Sequence, residues 1–316
     1  MTSICYRTYL RFSTVFLVAL IGCTQLSDEQ KGNDLSENSE ASYPATVFPG
    51  DTTALWLAEG PLTADTVLII GEGGPHNALD FEWGGETVWS GLPDYKSYYR
   101  AHILQSTMLN KHIYENTKGF SEEDGELEAD NSTEILNRAV RYFKERGKVV
   151  LVVGSSLSAW VILDHVSKAN LMADSYVISS GRLKANETMV QYHALGHNVI
   201  FEEDATTIRI PDTTYRNPIK TERYFRLRQV KNRIKAAFGR RNYMELLADK
   251  DLSNVTYVYA ENDRRVGSLT QAEVGFLLSR NAEVVNTQAR HSGNDRFIVG
   301  QFNEGEMSFR MKINLP

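Results

Sequence analysis

Past residue 54 the chain alternates short apolar runs with longer amphipathic ones. Residues 54–58 and 66–70 read as strands, and the second (TVLII) is apolar and β-branched almost throughout, as a strand covered on both faces should be. It runs into Gly71-Glu72-Gly73-Gly74-Pro75, a composition suited to a tight turn that exposes backbone amides. Aromatics then crowd the segment to about Gly119 (Phe81, Trp83, Trp89, Tyr95, Tyr98, Tyr99), and the acidic stretch 121–130 reads as a solvated loop. A helix is expected next: Asn131-Ser132-Thr133-Glu134 has the form of a capping box, Ile135, Leu136, Val140 and Phe143 make one stripe, and Gly147 is placed to stop it. Residues 149–153 (VVLVV) are the plainest buried strand, followed at once by a helix at 159–166. Further strands are expected at 175–179, 255–260 and 283–287. Strand, helix, strand repetition of this kind predicts a mostly parallel central sheet with helices on both faces. The pattern breaks between about 182 and 250, where a helical cap insertion is expected.

The amino terminus changes the picture. Arg7 and Arg11 precede Phe16-Leu17-Val18-Ala19-Leu20-Ile21, an apolar run too short to span a bilayer stably, so residues 1–22 read as a targeting signal. The run ends Leu20-Ile21-Gly22-Cys23 and resembles the lipobox of bacterial lipoproteins, which implies cleavage before Cys23 and lipidation of its thiol. Thr24 rather than aspartate follows, and by that resemblance the expected destination is the outer membrane of the bacterial cell envelope. Residues 23–42 are polar and acidic, the composition of a flexible tether, so a single globular domain is expected over 43–316. The two cysteines, Cys5 and Cys23, both lie in this leader, which leaves no thiol for disulfides, zinc or nucleophilic catalysis in the domain.

Covalent chemistry must then use oxygen, and one motif offers it. In VVLVVGSSLSAWVILDHV a buried strand turns into a helix through Gly154-Ser155-Ser156-Leu157-Ser158, the pattern of a nucleophile elbow, with Ser158 in place of the second glycine. A serine on such a turn projects its hydroxyl above the sheet. An acid and a base should follow in the order serine, acid, histidine. Asp263 lies just beyond the strand at 255–260 and His291 just beyond that at 283–287, where strand ends of a parallel sheet build sites.

From the glycine turn to His291 the chain resembles the α/β-hydrolase superfamily. The resemblance implies an α/β-hydrolase fold in which Ser156 attacks a carbonyl, His291 takes and returns its proton, and Asp263 orients the imidazole. It also implies an oxyanion hole of backbone amides, one from Leu157 and one from the turn after TVLII: Glu72, or Gly73 if the alignment shifts by one. The expected substrate is a small acyl compound, a carboxylic ester foremost, with no cofactor and no metal. Two rivals stay open. The turn GEGGP resembles the HGGPG turn of prolyl aminopeptidases, which implies a peptidase or amidase on the same residues. Departures at Ile70 and Ser158 fit a non-catalytic envelope lipoprotein that keeps the fold.

Other candidates are weaker. His193 and His197 stand four apart but with Gly196 between them and no glutamate in the HExxH manner, which argues against a metal site. Glu202, Glu203 or Asp204 would replace Asp263 only in a chain of unusual order. From Arg216 to Arg241 ten Lys or Arg face one acid, Glu222, in a chain whose formal net charge is −6. Tyr224, Leu227, Ile234 and Phe238 recur there at helical spacing, so the segment reads as a solvated cap helix over the site; the alternative is a basic face for anionic lipid headgroups or an anionic substrate. Nucleic acid is a poor partner for an exported chain.

Overall fold

The computed structural model describes residues 45–79, 88–114, 119–210 and 218–311, with side chains at all of these except 111 and 218–225. The leader, the tether and Cys23 lie outside them, as do Phe81 and Trp83. Nine strands are described: β1 (Trp56–Glu59), β2 (Thr66–Gly71), β3 (Tyr99–Ile103), β4 (Val149–Ser155), β5 (Ser175–Ser179), β6 (Ile200–Phe201), β7 (Ile208–Arg209), β8 (Val255–Ala260) and β9 (Glu283–Thr287). The α-helices are α1 (Ser106–Leu109), α2 (Glu122–Lys144), α3 (Leu157–Lys168), α4 (Glu187–Ala194), α5 (Pro218–Arg240), α6 (Tyr243–Leu246), α7 (Gln271–Ser279) and α8 (Asn294–Asn303).

Seven strands form one sheet in the order β1-β3-β2-β4-β5-β8-β9, and all neighbours are parallel except β1 with β3. Period-two alternation splits its side chains between two cores. Val67, Ile69, Val150, Val152, Tyr176 and Ile178 pack with α2, α3 and α5. Leu68, Ile70, Leu151, Val153, Val177 and Val258 pack with α8 and the short turn Val88–Gly91. Each such aliphatic side chain contributes roughly 1.5–3 kcal/mol by leaving water, so continuous apolar runs at β2 and β4 fix a sheet that is covered twice. This is the α/β-hydrolase fold expected from the sequence, and the segment between β5 and β8 holds α4, the β6–β7 pair, α5 and α6 as the cap.

Two expectations are corrected. Residues 121–130 are helical, not a solvated loop: α2 starts at Glu122, and its capping box is formed by Ser121 and Asp124 rather than by 131–134. Ser121 Oγ accepts the Asp124 amide at 3.1 Å, and the Asp124 carboxylate accepts the Ser121 amide at 2.7 Å. The acids are held by a distant partner, for Arg240 pairs with Glu122 and Glu126, and Arg241 with Glu126 and Asp130. Gly125 lets the two helices close: a Cβ there would lie 2.9 Å from the Arg233 carbonyl oxygen. The first strand also starts later than expected, because residues 52–55 form a 3-10 turn capped by Asp51.

Candidate functional site

The strands β4, β8 and β9 end on one rim of the sheet, and the loops beyond them carry Ser156, Asp263 and His291. Ser156 links β4 to α3 with φ 58° and ψ −113°. A serine held there is strained by about 1–3 kcal/mol, a cost that persists only when the surroundings over-determine it. They do: the Ser156 amide donates to the Ser179 carbonyl at 3.1 Å, and its own carbonyl accepts from Ala159 at 3.2 Å. The hydroxyl makes no hydrogen bond to a described residue and opens on a cavity of about 220 Å³.

His291 lines the same cavity. Its Nδ1 lies 2.7 Å from Asp263 Oδ2, and Asp263 is 1% exposed. The other carboxylate oxygen accepts the amides of Arg265 at 2.8 Å and Val266 at 3.1 Å, so the charge is satisfied and the carboxylate aimed. With Nδ1 donating to the carboxylate, Nε2 is left as the basic nitrogen. No hydrogen bond joins Ser156 directly to His291. In resting sites such bonds are often long and close when substrate binds. Asp204 makes no hydrogen bond to His291. Its carboxylate is held by the Thr207 hydroxyl and the amides of Thr206 and Thr207, which pull its pKa below the usual range.

The glycine turn lies against the elbow. A Cβ on Gly73 would sit 3.5 Å from Ser156 Cβ and 3.9 Å from its Oγ, so of the turn's glycines Gly73 is the one that faces Ser156. Glu72 instead turns its carbonyl to Ser158 Oγ and to Gln105 Nε2, the latter at 3.3 Å. On the other side the Leu157 amide, in the first turn of α3, has no intrahelical acceptor.

Ser158 explains its own departure from the elbow pattern. It sits over the paired residues Gly71 of β2 and Gly154 of β4, where a Cβ on either would come within 2.8 Å of its side chain. The two glycines make room for a hydroxyl, and the hydroxyl grips the turn through the Glu72 carbonyl. Gln105, at the head of α1, holds the same turn: its Nε2 donates to the Gly73 carbonyl at 2.6 Å and its Oε1 accepts the His76 amide at 2.8 Å.

Several residues that the sequence reading did not single out support the rim from below. Asp295, four residues beyond His291, accepts Ser155 Oγ at 2.9 Å and Ser179 Oγ at 2.7 Å, tying α8 to the elbow. Desolvation raises its pKa, and the two hydroxyls and His291 oppose that shift. Ser180 Oγ donates to the His291 carbonyl at 3.2 Å and accepts from Asn294 Nδ2 at 2.8 Å. Ser155 and Ser179, side by side at the ends of β4 and β5, were the available signal, since two neighbouring hydroxyls can share one acceptor.

The cap closes the cavity with Met189 and His193 of α4, Asn198, Val199 and Lys235 of α5. Phe238 of α5 stacks on Trp160 of α3, ring centroids 6.4 Å apart. His193 does not pair with the His197 ring: its Nδ1 bonds the His197 carbonyl at 3.0 Å, and burial lowers its pKa to about 4. Among the described residues no helix is long and apolar enough to cross a membrane.

No family model and no curated protein matches the sequence. Solved structures do. Similar chains include MGS-M2, an alpha/beta hydrolase from a Medee basin deep-sea metagenome library, at 14% identity and TM-score 0.48, covering 82% of this chain and 96% of that one. A structure described with LipS and LipT, two metagenome-derived lipolytic enzymes, matches at 11% identity and TM-score 0.47, covering 80% and 96%. YbtT, a type II thioesterase of the Yersiniabactin biosynthetic pathway, matches at 10% identity and TM-score 0.47, covering 79% and 96%. The likeness is one of chain path, and what the site can do follows from its own residues.

Proposed function

We propose that this protein is a serine hydrolase that cleaves a carboxylic ester or related acyl compound through an acyl-enzyme. The observation that carries the reading is a strained, half-buried serine sharing a cavity with a histidine whose other nitrogen is bound by a buried carboxylate. In this reading Ser156 Oγ attacks the acyl carbon while His291 Nε2 takes its proton. The negative charge on the carbonyl oxygen is met by the amides of Leu157 and of Gly73 or Glu72. Collapse breaks the bond to the leaving oxygen, which receives the proton from His291. Water then attacks the acyl-serine by the same route in reverse. Asp263 keeps the tautomer and stabilises the imidazolium between the steps.

The site's place in the cell is part of the same proposal: Cys23 carries lipid, and the tether holds the domain at a bacterial envelope membrane. Sequence alone supports this part. Short-chain 4-nitrophenyl esters and aminoacyl 4-nitroanilides, assayed side by side, test the chemistry. We expect ester turnover that falls by about 10⁴–10⁶ in Ser156→Ala. Amide turnover in place of ester turnover would move the reading to a peptidase, and equal background with both proteins would refute it.

A further inference from the structure

Among the described residues, the positive charge at the cavity in front of Ser156 has no acidic partner. Lys235 of α5 and Arg265, two residues beyond Asp263, both line it, beside Asn198 and the neutral His193. A second cavity meets it at His291 and Arg265 and is lined also by Arg264 and Arg290. Among the described residues no carboxylate lines either cavity. Asp263 lies behind His291 and is committed to its ring and to two amides. Lys235, Arg265 and Arg290 form no ion pair with a described acid, whereas Arg240 and Arg241, further along the same basic run, are neutralised by α2, and Arg264 reaches Glu202 only at 3.9 Å.

Such a cluster is costly to assemble. Desolvation, followed by the charges of Lys231, Arg265 and Arg228, lowers the Lys235 pKa to about 8. A chain of net charge −6 has acids to spare, yet the described residues bring none to this opening. Like charges left unpaired at a cavity favour an anion in it, because binding one relieves both the repulsion and the desolvation.

Resting on the hydrolase reading above, we propose that the substrate carries an anionic group, such as a carboxylate or phosphate, that is held by Lys235 and Arg265 while Ser156 attacks its acyl carbon. The apolar wall of Trp160, Met189, Val199 and Val266 would receive the intervening carbons. The basic segment thus serves substrate choice at its middle and helix pairing at its end.

The test is a matched pair of esters, mono-(4-nitrophenyl) adipate and 4-nitrophenyl hexanoate, each corrected for the rate with Ser156→Ala. A second pair moves the charge to the leaving group: 4-(carboxymethyl)phenyl butyrate against 4-ethylphenyl butyrate. The expected result is a kcat/KM ratio, charged over neutral, of about tenfold or more in one pair. That ratio should fall several-fold in Lys235→Met and in Arg265→Gln, approach unity in the double variant, and survive in Lys235→Arg. Ratios at or below one in both pairs, or a ratio indifferent to the double variant, would overturn the proposal while leaving the hydrolase reading intact. If no ester is turned over, binding decides: adipate should raise Tm of the full chain but not of the double variant, and no shift in either would overturn the subsite.

Discussion

Ser158 is the residue on which sequence and structure differ most instructively. As a departure from the elbow pattern it weakened the motif. In three dimensions it becomes the clasp between the elbow and the glycine turn, donating to the Glu72 carbonyl from above two glycines whose lack of a Cβ leaves it room. Removing that hydroxyl frees the turn whose amides we propose to face the reacting oxygen, and a displacement of about 1 Å there costs on the order of 10–100-fold. Ser158→Ala is therefore expected to lower kcat by about that factor with KM little changed; steady-state kinetics beside a thermal melt separate this from unfolding, and unchanged kcat would leave Ser158 a packing residue. Serine, acid and histidine were visible in the sequence because each follows an apolar run in a fixed order. Gln105, Ser180 and Asp295 were not, since their partners lie 29 to 140 residues away.

At the scale of elements, α2 shows why a charge run misleads. Glu122, Glu126 and Asp130 recur at intervals of four and so share one helix face, but without knowledge of Arg240 and Arg241 the stretch reads as solvated. The partner is more than a hundred residues distant, beyond any local pattern. Strand β3 was hidden differently: its residues YRAHI lie in an aromatic-rich segment and become a strand by lying between β1 and β2. Strands β2, β4, β5 and β8 needed no such context, because buried parallel strands read as largely apolar runs; β9, half-buried at the sheet edge, was legible from the β-branched pair at its centre. The capping box gives the helix reading a direct check. Ser121→Ala removes the acceptor for the Asp124 amide, and urea unfolding should show a loss of about 1 kcal/mol. No change would mean that the first turn frays in solution.

Among the described residues burial lowers the pKa of three histidines, His102, His165 and His193, and the last two most strongly. His165, which bonds the Tyr176 hydroxyl at 2.9 Å, has a pKa lowered to about 3, chiefly by burial; His193 is lowered to about 4 for the same first reason. Both folded values lie below the unfolded 6.5. Each therefore contributes stability that is complete above pH 6.5 and is lost as pH falls towards the folded value, because the unfolded chain takes up the proton first. Between pH 6.5 and 5 the pair should remove roughly 3 kcal/mol. Urea midpoints at the two pH values check this, His165→Gln should flatten the slope, and a pH-independent midpoint would contradict it. The strand order, the shared rim and the charged cavity also belong to this scale; they arise from strands meeting out of sequence order, which no single segment encodes.

On the proposed reading Ser156 is a nucleophile armed by His291. Reaction with a fluorophosphonate, followed by peptide mass spectrometry, reads it most directly. A single adduct is expected on the peptide containing Ser156, formed by the wild-type chain, absent from Ser156→Ala and strongly slowed in His291→Ala. A folded wild-type protein that takes up no phosphonyl group, or takes it up elsewhere with Ser156 untouched, would contradict it.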